Sequence, residues 1–337
     1  MVVATPPIPV RPGVSHGRAG TVIRVTAVDP RPAAAAVPAS VGGPRTLVTT
    51  VKAYVGITKP RIIELLLVTT LPAMVLAQRG LPALGLTLAT LGGGALAAGS
   101  AHVFNQVIER DIDGLMRRTA RRPLVNEVIG VRAAVVYGVV LLAVAVAVML
   151  AWVNPLAAGL TLLANLFYVV VYTVLLKRRT PQNIVWGGIA GCMPTLIGWA
   201  AVTGTLAWQP FVLFLVVFFW TPAHYWPLAV KFRQDYARAG VPMLPVVADD
   251  VAVGRQILAY TAATVVTSLV LAPVADLGWV YLAVALVSGA WFLAEAVRLL
   301  TAARGAQPLR AMRLFHVSIS YLTVVFVGVA ADVLLLG

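Results

Sequence analysis

The stretch NQVIERDIDGLMRRTARRPL, Asn105 to Leu124, decides the reading of the chain. It follows a long apolar run and brings three carboxylates, five arginines and a helix-breaking proline into one short segment. Asn105, Glu109 and Asp113 are four residues apart, so on a helix their oxygen-bearing side chains form a row along one face. Two anionic oxygens and an amide carbonyl suit Mg²⁺, which prefers oxygen and usually keeps waters and a substrate phosphate in its shell. Arg117, Arg118, Arg121 and Arg122 follow at once, and guanidinium groups hold phosphate oxygens bidentately. A metal site beside a phosphate clamp points to chemistry on a lipid diphosphate. There is also a plainer account, in which the arginines only set topology and the acids only pair with them. The spacing alone favours that account, and the rest of the chain has to decide.

Working outward, the chain of 337 residues is 60% hydrophobic and only 11% charged. Soluble domains are about a quarter charged, so this is the composition of a membrane protein. The net charge of +14 sits in loops between apolar spans, which argues against a nucleic-acid partner and for topology signals and anionic contacts. The one cysteine, Cys192, excludes an intrachain disulfide and a cysteine metal site, and its apolar surroundings suit a small buried residue. Residues 1–50, rich in Pro, Ala, Val and Gly, are expected as a disordered cytoplasmic tail, and 51–337 as one transmembrane domain.

Nine apolar spans follow, near 62–79, 84–108, 132–152, 156–176, 184–203, 210–230, 256–275, 278–297 and 314–335. Each approaches the ~20 residues that cross a bilayer as a helix, so the expected fold is all-α, with nine helices around a cavity open to the cytoplasm. The basic residues occupy every other loop, and the opposite side holds only Arg79. The positive-inside rule then puts the N-terminus in the cytoplasm and the C-terminus outside, in a cell (inner) membrane. The long loops, after spans two and six, share the cytoplasmic side.

The second long loop, KFRQDYARAGVPMLPVVADD from Lys231 to Asp250, offers Asp235 as a further metal ligand and Lys231 for phosphate. KRRTPQN, Lys177 to Asn183, offers Lys177 and Arg178 for an anion. His102, His224 and His316 all fall near cytoplasmic helix ends, and imidazole is a common haem ligand, so a cofactor-sized substrate is plausible on these residues. Phe218, Phe219, Trp220, Tyr225 and Trp226 could line a prenyl tunnel and steady a cation, or form an interfacial belt. Asp332 is the main acid away from the cytoplasmic side and has no evident partner.

Asn105, Glu109 and Asp113, followed by Arg118, Thr119, Arg122, Pro123 and Leu124, resemble the first acidic motif of the intramembrane prenyltransferases. TKPRIIELLLVTTLPAM from Thr58, LKRRTPQNIVWGG from Leu176, FWTPAHYW from Phe219, DYARAGVPMLPVV from Asp235 and LFHVSISYL from Leu314 are similar to the branch that farnesylates protohaem IX. That resemblance implies farnesyl diphosphate and haem b as substrates, with water, and haem O and diphosphate as products. It implies Mg²⁺ on Asn105, Glu109, Asp113 and Asp235, and phosphate contacts from Arg118, Arg122, Lys177, Arg178 and Lys231. His224, His316 or His102 would hold the haem, in that order. A haem A synthase or terminal oxidase assembly factors would receive the product. Two positions depart from the pattern. Glu109 stands where Asp is more usual, and Gln234 precedes Asp235 where many relatives have a second acid. The alternatives are a prenyltransferase acting on a quinone precursor, which needs no haem ligand, and a polytopic transporter.

Overall fold

The computed structural model describes residues 46–336, except the side chains of 61–67. The expected tail therefore lies outside the described residues over positions 1–45, and helix α1 (Leu47–Ile57) begins inside its last few positions. Thr46 caps that helix, its hydroxyl accepting from the Thr49 amide.

The described chain is helical throughout. After α1 come α2 (Pro60–Gln78), α3 (Leu84–Ile108), α4 (Val131–Trp152), α5 (Pro155–Leu176) and α6 (Asn183–Thr203). Then follow α7 (Trp208–Lys231), the short α8 (Arg233–Arg238), α9 (Asp250–Val274), α10 (Trp279–Arg304) and α11 (Ala311–Leu336). Eight of these, α3 to α7 and α9 to α11, are long and apolar enough to cross a membrane. The protein is a multi-pass membrane protein. The remaining expected span, 62–79, coincides with α2, which runs 19 residues but is described without the side chains of 61–67.

Helix starts follow from local chemistry. Asn154 accepts from the Ala157 amide and Pro155 supplies the first helical residue of α5. Asp249 does the same for α9 through the Ala252 amide. Sequential helices pack as neighbours, and α11 closes the bundle by packing on both α2 and α7. Apolar burial supplies no drive between helices in lipid, so close approach depends on small residues. Gly198 on α6 shows this: a Cβ there would lie 2.6 Å from the Thr70 carbonyl oxygen of α2. Cys192 is buried, its thiol directed at the Gly188 carbonyl oxygen. Trp226 lies in the apolar core against Tyr260 rather than in a tunnel wall.

Asp332 has partners the sequence does not reveal. Its carboxylate accepts from the Gly278 amide at 2.6 Å and the Tyr281 amide at 2.9 Å, so α11 caps the first turn of α10. Asp332→Ala is expected to lower stability by about 1–2 kcal/mol, the worth of a good cap. Thermal unfolding in detergent would show it, and an unchanged midpoint would remove the capping account.

Candidate active site

The Asn105–Asp113 row survives a break in the helix. α3 ends at Ile108, and a fresh turn runs over Arg110–Asp113. The Glu109 amide still donates to the Asn105 carbonyl, and the Asp113 amide to the Glu109 carbonyl, so the three side chains keep helical spacing. All three are buried.

Each acid has a cation from another segment. Lys177 Nζ lies 2.5 Å from Glu109 Oε1 and 2.6 Å from Oε2. Arg122 Nη1 donates to Asp113 Oδ2 at 2.5 Å. Thr119 donates to the Asp113 carbonyl oxygen and ties down the loop that carries Arg122. Lys59 Nζ donates to Asn105 Oδ1 at 3.2 Å, and Asn105 Nδ2 donates to Thr173 Oγ1 at 3.2 Å. Burial pushes the Asp113 carboxyl above its ordinary pKa, and the Arg122 charge works against that rise.

Lys59 is a further residue of the site, one that no motif spacing singles out. It stands before Pro60 in left-handed backbone, φ 53°, where a side chain is unusual. The strain sets it as the non-helical cap from which its amine reaches Asn105. Burial first, then the Arg122 and Lys177 charges, push its pKa down to about 7.

The last ten residues of α5, Phe167–Leu176, form wider π-helical turns. In these turns the residue five along comes round to the same line. The Lys177 amide donates to the Tyr172 carbonyl, and the Thr173 hydroxyl to the Tyr168 carbonyl. The widening presents Tyr168 and Tyr172 to the same cavity as Lys177.

That cavity has a volume of about 930 Å³. Its polar wall holds Lys59, Asn105, Arg118, Arg122 and Lys177. Its opposite chemistry comes from α7 and α11, with Trp220, His224, Tyr225 and Phe315. The His224 ring is stacked between Trp220, 4.2 Å away, and Phe315, 4.5 Å away. Its Nδ1 is 2.8 Å from the Ser318 hydroxyl, which leaves Nε2 for a ligand. His102 also lines the cavity, edge-on to Tyr168, with Nδ1 buried and unpartnered. His316 is exposed and lies outside the wall.

Other expected residues stand apart. Arg178 makes a bidentate pair with Asp111 at 2.6 and 2.7 Å and is half-exposed. That hydrogen bond holds the Asp111 carboxyl below its ordinary pKa. Asp235 is buried and paired with Arg238. Its neighbour Tyr236 accepts from Arg118 Nη2 at 3.3 Å and contacts the Tyr225 hydroxyl at 3.0 Å. Lys231 lies over the Phe232 ring, not in the cavity wall.

Among the described residues no three acids or histidines come together as a complete metal cage. The row nonetheless fits Mg²⁺, which is usually held by one or two carboxylates plus substrate phosphates and water. Asp113 Oδ1 is buried with no hydrogen-bond partner, an open anionic oxygen of the kind a hard cation takes.

Residues 66–319 match the UbiA prenyltransferase family. The chain belongs to that family. It is 56% identical over 288 residues to the protoheme IX farnesyltransferase of Cutibacterium acnes, covering 85% of this chain and 86% of that one. It is 57% identical to the protein of that name from a Nocardioides species, covering 85% of this chain and 92% of the relative. The fold is shared with a digeranylgeranylglyceryl phosphate synthase at a TM-score of 0.70 and 15% identity, over 84% and 98% of the two chains. It is also shared with a UbiA homologue from Archaeoglobus fulgidus bound to GPP and Mg²⁺, at a TM-score of 0.55 and 19% identity, over 82% and 99%.

The Arg122–Asp113 pair makes a direct test of the buried-charge account. Arg122→Met leaves Asp113 buried and uncompensated, which is expected to cost about 3–5 kcal/mol. Adding Asp113→Asn should restore most of that loss. Unfolding midpoints of the two single variants and the double variant would check it, and additive losses would refute the coupling.

Proposed function

We propose that the chain transfers the farnesyl group of farnesyl diphosphate to a vinyl group of haem b, with addition of water, giving haem O and diphosphate. The observation that carries this reading is the single cavity shared by the cations round Asn105 and by the ring-stacked His224. The name borne by relatives more than half identical supports it.

In this reading the allylic C–O bond of farnesyl diphosphate breaks and its charge passes to the leaving diphosphate. Lys59, Arg118, Arg122 and Lys177 stand ready for that charge, fixed before reaction by their partners. Mg²⁺, when bound, would withdraw charge from the same diphosphate as a Lewis acid, held by Asn105, Glu109 and Asp113. The farnesyl C1 then bonds to the terminal carbon of the vinyl group. A vinyl group is a weak nucleophile, so holding it against the allylic carbon does most of the work. Water oxygen bonds to the inner vinyl carbon, and one proton is lost. α3 lines the cavity with Gly94, Ala97, Ala98 and Ala101, small residues that leave room for an isoprenoid chain and keep stray water out. His224 is the residue proposed to hold the haem, through Nε2.

α2 is the ninth membrane span in this proposal, and the protein sits in the cell membrane with its N-terminus cytoplasmic and its C-terminus outside. The row and the arginine loop then face the cytoplasm, and haem O passes to a haem A synthase or to terminal oxidase assembly.

The deciding assay supplies purified protein in lipid with haem b, farnesyl diphosphate and Mg²⁺, read by mass spectrometry. A haem product heavier by a farnesyl group and water, lost with EDTA and in Asp113→Asn, is the expected result. Prenylation of a quinone precursor without any haem product would discard the haem assignment. Full turnover by Asp113→Asn would remove the carboxylate row from the chemistry.

Lys59 gives a pH prediction. With a pKa of about 7 its amine is mostly neutral at pH 8. A bound diphosphate favours the charged form and raises that pKa. Binding an unreactive farnesyl diphosphate analogue at pH 8 should therefore draw up to one proton from the buffer. Calorimetry in buffers of different ionisation heat would measure the uptake, and Lys59→Arg should abolish it. Equal uptake by that variant would place the proton elsewhere.

A further inference from the structure

A second hollow, about 650 Å³, lies where the end of α7 meets the start of α11. Its charged residues are Lys231, Asp250, Arg310 and Arg313. Asp250 is paired with Arg233, and Arg313 donates to Glu295 at 2.7 Å. Lys231 and Arg310 have no carboxylate partner among the described residues. The hollow thus carries two cations without counter-charges.

Its position is set by two helices that also build the cavity. Lys231 follows His224 by seven residues on α7, two turns along the same face and about 10 Å further on. On α11, Ala311 and Met312 of the hollow precede by one turn Phe315, the ring stacked on His224. The hollow therefore continues the His224 wall of the cavity toward the helix ends.

We propose that Lys231 and Arg310 bind the two propionate carboxylates of haem b. The proposal rests on the haem reading above. Within the cavity the cations gather round the Asn105–Asp113 row, where the diphosphate needs them. The α7 and α11 walls of the cavity carry no cation. Propionates placed at the row would compete with the diphosphate, and propionates left on the α7 wall would be buried uncompensated. Two free cations just beyond His224 avoid both. The vinyl groups lie on the half of the porphyrin away from the propionates, so this seating turns the vinyl edge inward, toward the allylic carbon.

The test uses the full chain in vesicles of phosphatidylcholine, with and without phosphatidylglycerol. Haem b and its dimethyl ester, which lacks the carboxylate charges, serve as substrates and as ligands in absorbance titrations. Lys231→Gln with Arg310→Gln is expected to raise both the KM and the Kd for haem b about tenfold or more, the worth of charge-assisted hydrogen bonds. The ester should bind both proteins alike, and the KM for farnesyl diphosphate should stay the same. Unchanged haem b affinity in the variant overturns the proposal. So does a rise confined to the KM for farnesyl diphosphate, which would return Lys231 to the diphosphate. An effect equal for haem b and ester, scaling with phosphatidylglycerol, would give the hollow to a lipid headgroup and also overturn it. Absence of haem turnover in the unaltered protein, with haem b still bound more weakly by the variant, would sink the proposed reaction and leave the propionate site standing.

Discussion

Two buried carboxylates at the end of a membrane helix are the constraint on which the site depends. Glu109 and Asp113 are almost wholly removed from solvent. An unpaired carboxylate in such surroundings costs several kcal/mol, so each must find a cation. Lys177 comes from the α5–α6 connection and Arg122 from the loop after α3. The two ion pairs therefore fasten two loops to the end of α3 and bring three separate segments together. Arg118 adds a further cation, and Lys59 another when protonated. Three fixed cations round two acids leave an excess of positive charge, which is the electrostatic demand for an anionic ligand at this place.

Backbone irregularity makes that convergence possible. A regular α-helix through Phe167–Leu176 would turn Lys177 off the line of Tyr172. The π-helical turns bring them back together. Gly187 permits the result, because a side chain there would collide with the Tyr172 ring. Lys59 in left-handed backbone is the second irregularity, and it too lies at the cavity. Strain held at two points on one wall is the pattern of a site whose geometry matters more than local comfort.

The membrane helices were legible because bilayer thickness and the cost of burying charge both act directly on composition. The Asn105–Asp113 row was legible because four-residue spacing survives even a broken helix end, provided the amide bonds continue. Rotation about a helix axis was harder to read. Phe315, Ile319 and Leu322 of α11 face the cavity at helical spacing, and His316, next to Phe315, is turned out of it. Proximity in sequence to an inward residue gave no information about facing. The same limit separates Lys177, which reaches Glu109, from Arg178, which turns to Asp111. Lys59 was hidden for a different reason: a lysine just before an apolar helix is what the topology rule expects, and nothing local marks its further contact with Asn105.

Asp332 bears on what kind of machine this is. A transporter places ionisable groups near the bilayer midplane, where they bind and release cargo. Asp332 was the main acid expected away from the cytoplasmic side, and its carboxylate is committed to two amides at the start of α10. Glu295, the other buried acid of the last helices, is held by Arg298 and Arg313. The charges left facing the cavity are then those at the Asn105 wall. Confining charge to one wall and leaving the rest to glycine, alanine and aromatic rings separates two solvents within one space. In the proposed reaction one wall would stabilise the diphosphate as it leaves, and the other would shelter the hydrocarbon cation from water until the vinyl carbon reaches it.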